Sequence, residues 1–556
     1  MKKRVLLAII LLFVFTYYGC NKAEQQVFPE LPSLHITMTP LQLDSILADQ
    51  DNKVPAFALL IDASGDTLYE GELDHIKTRG NTTFKEPKKP YAIKLPYKQR
   101  LLGLKKSKSY ILLANFYDES HLRNAIGLDL ARAFGIPAPH YTYLTLYIND
   151  SYKGLYQMTN KVDVGRNALN ITDLGLSNKM VNPKPLEEYE WYGHGWKKQI
   201  IQRKGILLDR NPDDITGGYL IENTGLNNQY NKYISGFVSD ASDNIRIRSP
   251  KYASPQEIDY IAERYNEMER AILAPDGINP ETDKHYSEYI DVESFARYYL
   301  FNELIRNPDG GWASFMMYKD SDSIDTKIYA GPAWDFDRSL NNPRFQKSPI
   351  TPYNEIYVND KIIKAKGPHS GGLLYHLCQH KDFQQNVKDL YLNTISPICH
   401  KYLKERPFDS ITSLIFHEAD LDNMVYNTRH SVDYEAAVIR TTSFLRKRIE
   451  FFDWFYSSSE DKQVLVNYTD ENGKIHKLYY PTGKSIDVPF EVQYNHSPVY
   501  EFFYAGTDSI VSKGTSFHSS QKLELRKREP TKREVFVRRI RKKLSKIGIN
   551  PLKTPI

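Results

Sequence analysis

The chain has 556 residues, of which 41% are hydrophobic and 13% aromatic, a composition that indicates a globular protein with ample core and excludes a disordered chain. The formal net charge is +5, but residues 521–546 hold twelve Lys and Arg against three Glu, and removing this surplus of nine leaves −4 on the rest. The basic character is confined to one tail, so we expect no nucleic-acid partner.

The N-terminus has the pattern of a secretory signal. A basic start precedes the apolar run 5–18, and Gly19 and Cys20 follow it. The run is shorter than the roughly 20 residues that span a bilayer as a helix. We expect residues 1–20 to be a lipoprotein signal with Cys20 lipidated, and residues 21–33 to tether the protein to a membrane of the cell envelope, on its periplasmic or cell-surface side. The alternative is an ordinary secretory signal in which Cys20 is incidental.

The periodicity of the apolar residues predicts strands first and helices later. Alternating segments bounded by Gly, Asp, Asn and Pro are predicted strands, at 56–61, 68–77, 91–95, 141–148, 154–158 and 217–222. Apolar residues at helical spacing predict helices at 122–134, 258–273, 292–305 and within 371–455. A sheet-rich N-terminal part followed by a helical C-terminal part is α+β organisation.

The C-terminal hundred residues change character. Alternating segments with Asn-Gly and Pro within 463–503 predict a small β module, and we divide the chain into a main domain (34–458), a β module (459–510) and a basic tail (511–556). Apolar residues 536, 540, 544 and 547 would share one helix face in the tail. Such a helix binds anionic lipid or an acidic partner, and a solvated tail is the alternative.

Carboxylates cluster in the sequence between residues 300 and 340. Asp309 follows a predicted helix in Asn-Pro-Asp, while Asp335 and Asp337 follow a predicted strand in Trp-Asp-Phe-Asp. Phosphoryl transfer needs one carboxylate to orient or deprotonate the attacking hydroxyl and another to hold Mg²⁺ on the phosphates. Capping or turn roles are the alternative for aspartates taken singly.

A basic turn lies upstream. Arg79, Gly80 and Asn81 close one predicted strand, and Lys94 lies on the next. A turn of this kind cradles phosphate oxygens, and a strand lysine neutralises their charge. With a single Gly, the turn matches neither a P-loop nor a GxGxxG motif, so a plain hairpin turn is the alternative.

Taken in order, these stretches resemble the CotH family of atypical, protein-kinase-like phosphotransferases. The resemblance extends from about Leu34 to Phe455. Its matching stretches are Arg79-Gly-Asn-Thr-Thr with Lys-Pro-Tyr-Ala-Ile-Lys94, Asn115-Phe-Tyr-Asp118 with Leu122-Arg-Asn124, Gly154-Leu-Tyr156, Gly217-Gly-Tyr-Leu-Ile-Glu222, Asn307-Pro-Asp309 and Trp334-Asp-Phe-Asp337.

The resemblance implies a divergent, two-lobed protein-kinase-like domain that uses ATP and Mg²⁺ or Mn²⁺ to phosphorylate Ser or Thr hydroxyls of a protein substrate. It implies that Lys94 contacts the nucleotide phosphates and that Asp309 acts in the catalytic loop. It also implies that Asp335 holds the metal with support from Asp337. Kinase catalytic loops commonly place a second metal ligand, Asn, five residues after the catalytic Asp, where this chain has Ser314.

Two departures leave alternatives open. The hydroxyl of Ser314 is a weaker ligand for Mg²⁺ than an amide carbonyl, and Asn160 stands where family members often have Glu. The main alternative is therefore a catalytically weak or inactive kinase-like surface protein that binds a protein or glycan. A metal-dependent hydrolase built on Asp335 and Asp337 is a further alternative. Cys378 and Cys399 either pair or remain buried thiols, and their spacing does not decide between the two.

Overall fold

The structure is a computed structural model, and it describes residues 30–193, 202–225, 232–311, 313–345, 352–358, 372–426, 433–469, 475–484, 499–511 and 515–528. The predicted signal (1–20), most of the tether and the amphipathic part of the basic tail lie outside these ranges. None of the helices within them combines the length and the apolar character that a bilayer crossing requires.

The N-terminal part is a closed barrel of seven strands in the order β1-β2-β3-β4-β5-β7-β6. Because alternate side chains of a strand point to opposite faces, one face of each strand fills the interior of the barrel with apolar residues. The strands are β1 (Ser33–Thr37), β2 (Val54–Ile61), β3 (Thr67–Thr78), β4 (Tyr91–Gln99), β5 (Ser107–Leu113), β6 (Tyr141–Ile148) and β7 (Ser151–Asn160).

The β6–β7 hairpin turns at Asn149 and Asp150, between two predicted strands. Both residues have positive φ, 50° and 60°, which matches the two-residue turn that suits the twist of paired strands. Two helices accompany the barrel, α1 (Pro40–Ala48) and α2 (Arg123–Ala133).

A second sheet has seven strands in the order β14-β13-β10-β12-β11-β9-β8. Its strands are β8 (Trp191–Tyr192), β9 (Arg203–Ile206), β10 (Tyr219–Asn223), β11 (Gly236–Val238), β12 (Asn244–Ser249), β13 (Phe315–Lys319) and β14 (Ile328–Ala330). Its buried face shares the largest apolar core with the helices of the C-terminal part. This core positions β10, β12 and the segment after β14, which carry the charged residues described below.

Helices form most of the C-terminal part. They are α3 (Leu174–Val181), α4 (Pro255–Leu273), α5 (Val292–Leu304), α6 (Leu373–Leu377), α7 (Lys381–Leu390), α8 (Ser396–Glu405), α9 (Pro407–Tyr426) and α10 (Tyr434–Ser457). Ser254 and Glu257 form a capping box at the start of α4. Cys378 and Cys399 are buried, and no disulfide joins them.

The chain ends its described part in a four-stranded sheet, β16-β15-β18-β17. The strands are β15 (Gln463–Thr469), β16 (Ile475–Pro481), β17 (Val499–Tyr504) and β18 (Gln521–Arg528). β18 lies within the segment that the sequence analysis assigned to the basic tail. Leu523 and Leu525 alternate into the sheet, and the surrounding Lys and Arg mask this short period-2 pattern in the sequence.

The prediction of an α+β fold with sheet first and helices later is confirmed. Closure of the first sheet into a barrel was not predicted. It depends on β1 pairing in parallel with β6, as in Ser33 with Thr145, and no local pattern encodes that contact.

Candidate active site

The loop after α5 carries Asp309. Asn302, in the last turn of α5, is completely buried. Its Oδ1 accepts a hydrogen bond from the Asn307 side-chain amide (2.9 Å), and Asn307 Oδ1 accepts one from the Asp309 N–H (3.1 Å). Gly310 lies so close that a Cβ there would be 3.0 Å from Asn302 Cβ. Side-chain amides therefore set the conformation of the loop and hold Asp309 relative to the helix.

Arg338 binds the Asp309 carboxylate. Its Nη1 donates to both oxygens, at 2.9 and 3.2 Å, and its guanidinium lies 4.7 Å from the centre of the Phe345 ring. The Asp309 side chain is 15% exposed and the Arg338 side chain is 40% exposed, so solvent reaches the pair. The sequence analysis missed Arg338. Its position directly after Asp337 was the available signal.

A relay of buried amides holds the Asp-Phe-Asp segment after β14. The Phe336 N–H donates to Asn124 Oδ1 at 2.8 Å. The Asn124 amide donates to Asn115 Oδ1 at 2.9 Å, and the Asn115 amide donates to Gln157 Oε1 at 3.2 Å. Because Gln157 lies on β7 and Asn124 on α2, the relay links the barrel to the backbone between the two aspartates.

A buried arginine fixes the turn that follows. The Arg123 Nε donates to the Ser339 carbonyl at 3.0 Å, and its Nη1 forms an ion pair with Asp118. The Phe336 ring packs directly on α2, where a Cβ on Gly127 would lie 2.3 Å from a ring carbon. These contacts account for the Asn115–Asp118 and Leu122–Asn124 stretches of the resemblance, because both support the aspartate segment.

Asp335 and Asp337 are electrostatically coupled. The pKa of Asp335 is raised to about 6, first by desolvation among closely surrounding protein and next by the charge of Asp309. Desolvation and then Asp335 raise the pKa of Asp337 well above its ordinary value. Yet the Asp335 side chain is exposed. A carboxylate that is open to solvent and closely surrounded lies in a concave part of the surface.

The backbone at Asp335 is also unusual. Its φ of +74° lies in the left-handed region, which costs free energy for a residue with a Cβ and is concentrated at functional sites. Two carboxylates that resist ionisation beside a third fit a divalent cation, because the cation would offset their mutual repulsion. Within the described ranges, however, no group of three His, Cys, Asp or Glu is arranged to hold a metal ion.

Arg79 faces these carboxylates. Its guanidinium carbon lies 5.6 Å from the centre of the Trp334 ring. The backbone N–H of Arg79 donates to the Pro90 carbonyl at 3.0 Å. Burial lowers the pKa of Arg79 to about 10, while the charge of Asp335 acts in the opposite direction. In the turn that follows, Gly80 has a φ of +96°, and a Cβ there would lie 2.2 Å from the Thr83 hydroxyl.

A second group of cations adjoins Arg79 and was not predicted. Arg246 and Arg248 extend from β12 toward Glu222 on β10, with N to O distances of 3.5 and 3.1 Å. The Arg246 guanidinium lies 4.1 Å from the centre of the Tyr233 ring. Both arginines contribute to lowering the pKa of Arg79, after desolvation, so they belong to the same region. The Ile-Arg-Ile-Arg alternation of residues 245–248 was the signal in the sequence.

Lys204 is a further cation of this group. Its side chain is fully buried on β9, and its Nζ lies 5.9 Å from the same Tyr233 ring. Burial and then the neighbouring Arg246 lower the pKa of Lys204 to about 8. Glu222 partly balances this concentration of positive charge, which favours an anionic ligand.

The sequence analysis also singled out four residues with different surroundings: Lys94, Asn160, Asn81 and Ser314. Lys94 forms an ion pair with Asp74 at 2.9 Å on the partly exposed face of the barrel. The Asn160 amide donates to the Lys105 carbonyl at 2.8 Å, and its Oδ1 accepts the Lys105 N–H at 3.1 Å, which is a structural role. Asn81 is exposed. Ser314 directly precedes β13 with a φ of +51°.

Fold and site together define an α+β protein in which a loop aspartate and an Asp-x-Asp segment lie near the arginines described above. The family model for CotH kinase protein matches residues 76–452, most of the chain, so the chain belongs to the CotH kinase family. None of the curated proteins compared with the chain matches it.

Proposed function

We propose that this protein is an ATP- and divalent-metal-dependent phosphotransferase that phosphorylates Ser or Thr hydroxyls of a protein substrate outside the cytoplasm. One observation carries the proposal: Asp309, Asp335, Asp337 and the guanidinium of Arg79 lie close enough together for their charges to act on one another. This arrangement combines a candidate base, a candidate metal site and a phosphate-binding cation. Membership of the CotH kinase family supports it.

Each residue has a separate role in the proposed reaction. Asp309 orients the acceptor hydroxyl and takes its proton, while Arg338 holds the Asp309 carboxylate in place. Asp335 holds the cation with support from Asp337, and Arg79 and Arg248 bind phosphate oxygens. Bound Mg²⁺ or Mn²⁺ would neutralise the charge of the nucleotide phosphates. Family membership also supports a two-lobed, kinase-like division, with the barrel and the helical part on either side of this site.

The proposed location rests on the N-terminal sequence. A lipid on Cys20 would keep the protein at a membrane of the cell envelope, with residues 21–33 as the tether. The basic tail beyond Arg528 remains a candidate for binding anionic lipid or an acidic partner. The acceptor protein would be reached from the membrane surface.

Thermal unfolding and phosphate transfer test the proposal. The mature full-length chain, purified in detergent, is expected to unfold at a higher temperature with ATP and Mg²⁺ or Mn²⁺ than with either alone. It is also expected to transfer labelled phosphate to envelope protein or to itself. Asp51→Asn, at an exposed carboxylate between α1 and β2, is the matched control for variants of the site. Absence of both stabilisation and transfer would overturn the proposal.

A second candidate function is a kinase-like surface protein that binds a protein or glycan without catalysis. Two ion pairs favour it: Lys94 is engaged by Asp74, and Asp309 is engaged by Arg338. A candidate nucleotide ligand and a candidate base are thus both paired within the chain. Stabilisation by envelope glycan or protein, without any nucleotide effect, would support this alternative.

A further inference from the structure

The C-terminal sheet β15–β18 is joined to the loop that carries Asp309. The sheet lies outside the residues that the family model matches, 76–452. Segment 352–358 lies beside the edge strand β16 of this sheet. Glu355 in this segment pairs with Leu478 in an antiparallel bridge. The Tyr479 N–H donates to the Asn354 carbonyl at 3.0 Å, and the Asn354 amide donates back to the Tyr479 carbonyl at 3.1 Å. Segment 352–358 is therefore attached to the edge of this sheet by one isolated bridge and two hydrogen bonds.

Glu355 and Tyr357 of this segment contact Arg306, the residue directly before the Asn-Pro-Asp loop. Arg306 Nη2 and Nε donate to Glu355 Oε2 at 2.6 and 3.2 Å, and the guanidinium lies 4.1 Å from the centre of the Tyr357 ring. Burial is the largest single influence and lowers the pKa of Arg306, but Glu355, Tyr357 and Tyr468 together outweigh burial, so the pKa of Arg306 is raised. Arg306 has a φ of +49°, so this pair holds the backbone in a left-handed conformation where the loop begins.

His476 completes the connection from the side of the sheet. Its Nδ1 lies 3.0 Å from the other carboxylate oxygen of Glu355, Oε1. The imidazole is 3% exposed and stacks on the Tyr468 ring, with centroids 4.5 Å apart and planes 6° apart. A ring clamped in this way orients Glu355, because a buried carboxylate bound on both oxygens has no freedom to rotate.

We propose that the C-terminal sheet is an integral part of the active unit of this protein, and that His476 is a positioning residue acting through Glu355 and Arg306 on the Asp309 loop. The connection is a contiguous chain of charge-assisted hydrogen bonds from β16 to the loop. That this unit is active depends on the proposed phosphotransferase function. The positioning itself does not depend on it.

Hydrogen exchange measured on the full-length mature chain tests the positioning without an activity assay. His476→Phe keeps the stack on Tyr468 and removes the ring nitrogen. The amides of Asn307 and of residues 309–311 are expected to exchange about tenfold faster in this variant, as for loss of one charge-assisted hydrogen bond. His476→Asn restores a side-chain amide donor at this place and is expected to recover protection. His518→Phe is the matched control, since His518 is an exposed histidine in the segment that precedes β18 and lies beside Gly483.

The outcomes separate the two proposals. Unchanged exchange in residues 307–311 of His476→Phe, or no recovery in His476→Asn, overturns the positioning role, even where the sheet itself exchanges faster. Faster exchange in 307–311 supports the role, with or without opening of β15 and β16. If wild-type protein transfers phosphate, His476→Phe is also expected to lower kcat about tenfold with the KM for nucleotide unchanged. A wild-type protein with neither nucleotide-dependent stabilisation nor transfer refutes the phosphotransferase proposal and leaves the exchange result standing.

Discussion

Asn124 Oδ1 accepts a hydrogen bond from the Phe336 N–H at 2.8 Å, across 212 residues of sequence. Through this bond α2, which packs beside the barrel, holds the backbone between Asp335 and Asp337. The candidate metal site is therefore a joint product of the barrel side and the helical side.

Removing the acceptor tests the amide relay. Asn124→Leu leaves the buried Phe336 N–H without a partner and is expected to lower the free energy of unfolding by about 1–3 kcal/mol. Asn115→Leu interrupts the same relay, so the double variant is expected to lose less than the sum of the single losses. Denaturant unfolding measures all three. Asn52→Leu, at an exposed asparagine, is the control, and a fully additive double variant would show that the relay does not act as a unit.

Asp335→Asn separates stability from metal binding. With its pKa raised to about 6, Asp335 binds its proton more tightly in the folded than in the unfolded chain. The protonated Asp335 carboxyl therefore stabilises the folded state at pH values below the ordinary pKa of aspartate. This stabilisation is lost as the pH rises through about 6. At pH 7.5 the variant is expected to be more stable than wild type by about 1 kcal/mol, discounted for the exposure of the side chain. The gain is expected to vanish near pH 4.

The same variant is expected to lose metal-dependent nucleotide binding. In wild type, affinity for Mg²⁺ or Mn²⁺ is expected to fall as the pH decreases below about 6, because protonation removes the ligand charge. Titration calorimetry at pH 7.5 and pH 5.5 measures both effects. Equal metal affinity of wild type and Asp335→Asn would exclude this carboxylate as a ligand.

Asp309→Asn is expected to spare nucleotide binding and to reduce transfer about 10²–10⁴-fold, the usual contribution of a general base. Arg338→Gln removes the cation that binds both Asp309 oxygens and is expected to lower the transfer rate less. Single-turnover transfer and nucleotide-dependent unfolding distinguish chemistry from binding. A loss of binding in Asp309→Asn equal to its loss of rate would argue against the role of a base.

Gly127→Ala tests the seating of Phe336. The added Cβ would lie 2.3 Å from the ring, so the aspartate segment must move, at an expected cost of about 1–3 kcal/mol. Phe336→Leu introduced with it is expected to recover part of this loss, because a smaller side chain relieves the overlap. Thermal unfolding with and without Mn²⁺ measures stability and the metal site together. A Gly127→Ala protein with wild-type stability would show that α2 and the ring are not in close contact.

Cys20→Ser tests anchoring. The variant is expected to lack the lipid and to leave the membrane fraction, and mass spectrometry of the mature N-terminus checks the wild type. Deleting the residues after Arg528, which leaves β18 whole, is the separate control for the basic tail. An unmodified wild-type Cys20 would refute lipidation while leaving secretion possible.

The local elements could be predicted because their signals lie in neighbouring residues. Asn149 and Asp150 specify the β6–β7 turn through their tolerance of positive φ, and apolar spacing specifies α2, α4 and α5. The aspartates at 309, 335 and 337 could be named from motifs. Arg338 could not, because its significance depends on reaching Asp309 across 29 residues of sequence.

By itself, the sequence determined the α+β class, the order of sheet and helices, and the family, because periodicity, turn chemistry and short motifs act over a few residues. Only the tertiary structure decided the closure of the barrel, the engagement of Lys94 by Asp74 and the link from His476 through Glu355 to Arg306. Such contacts join segments far apart in the chain. They form only when the packed cores bring donor and acceptor together, since a hydrogen bond or ion pair acts over a few ångströms and carries no mark in the local sequence.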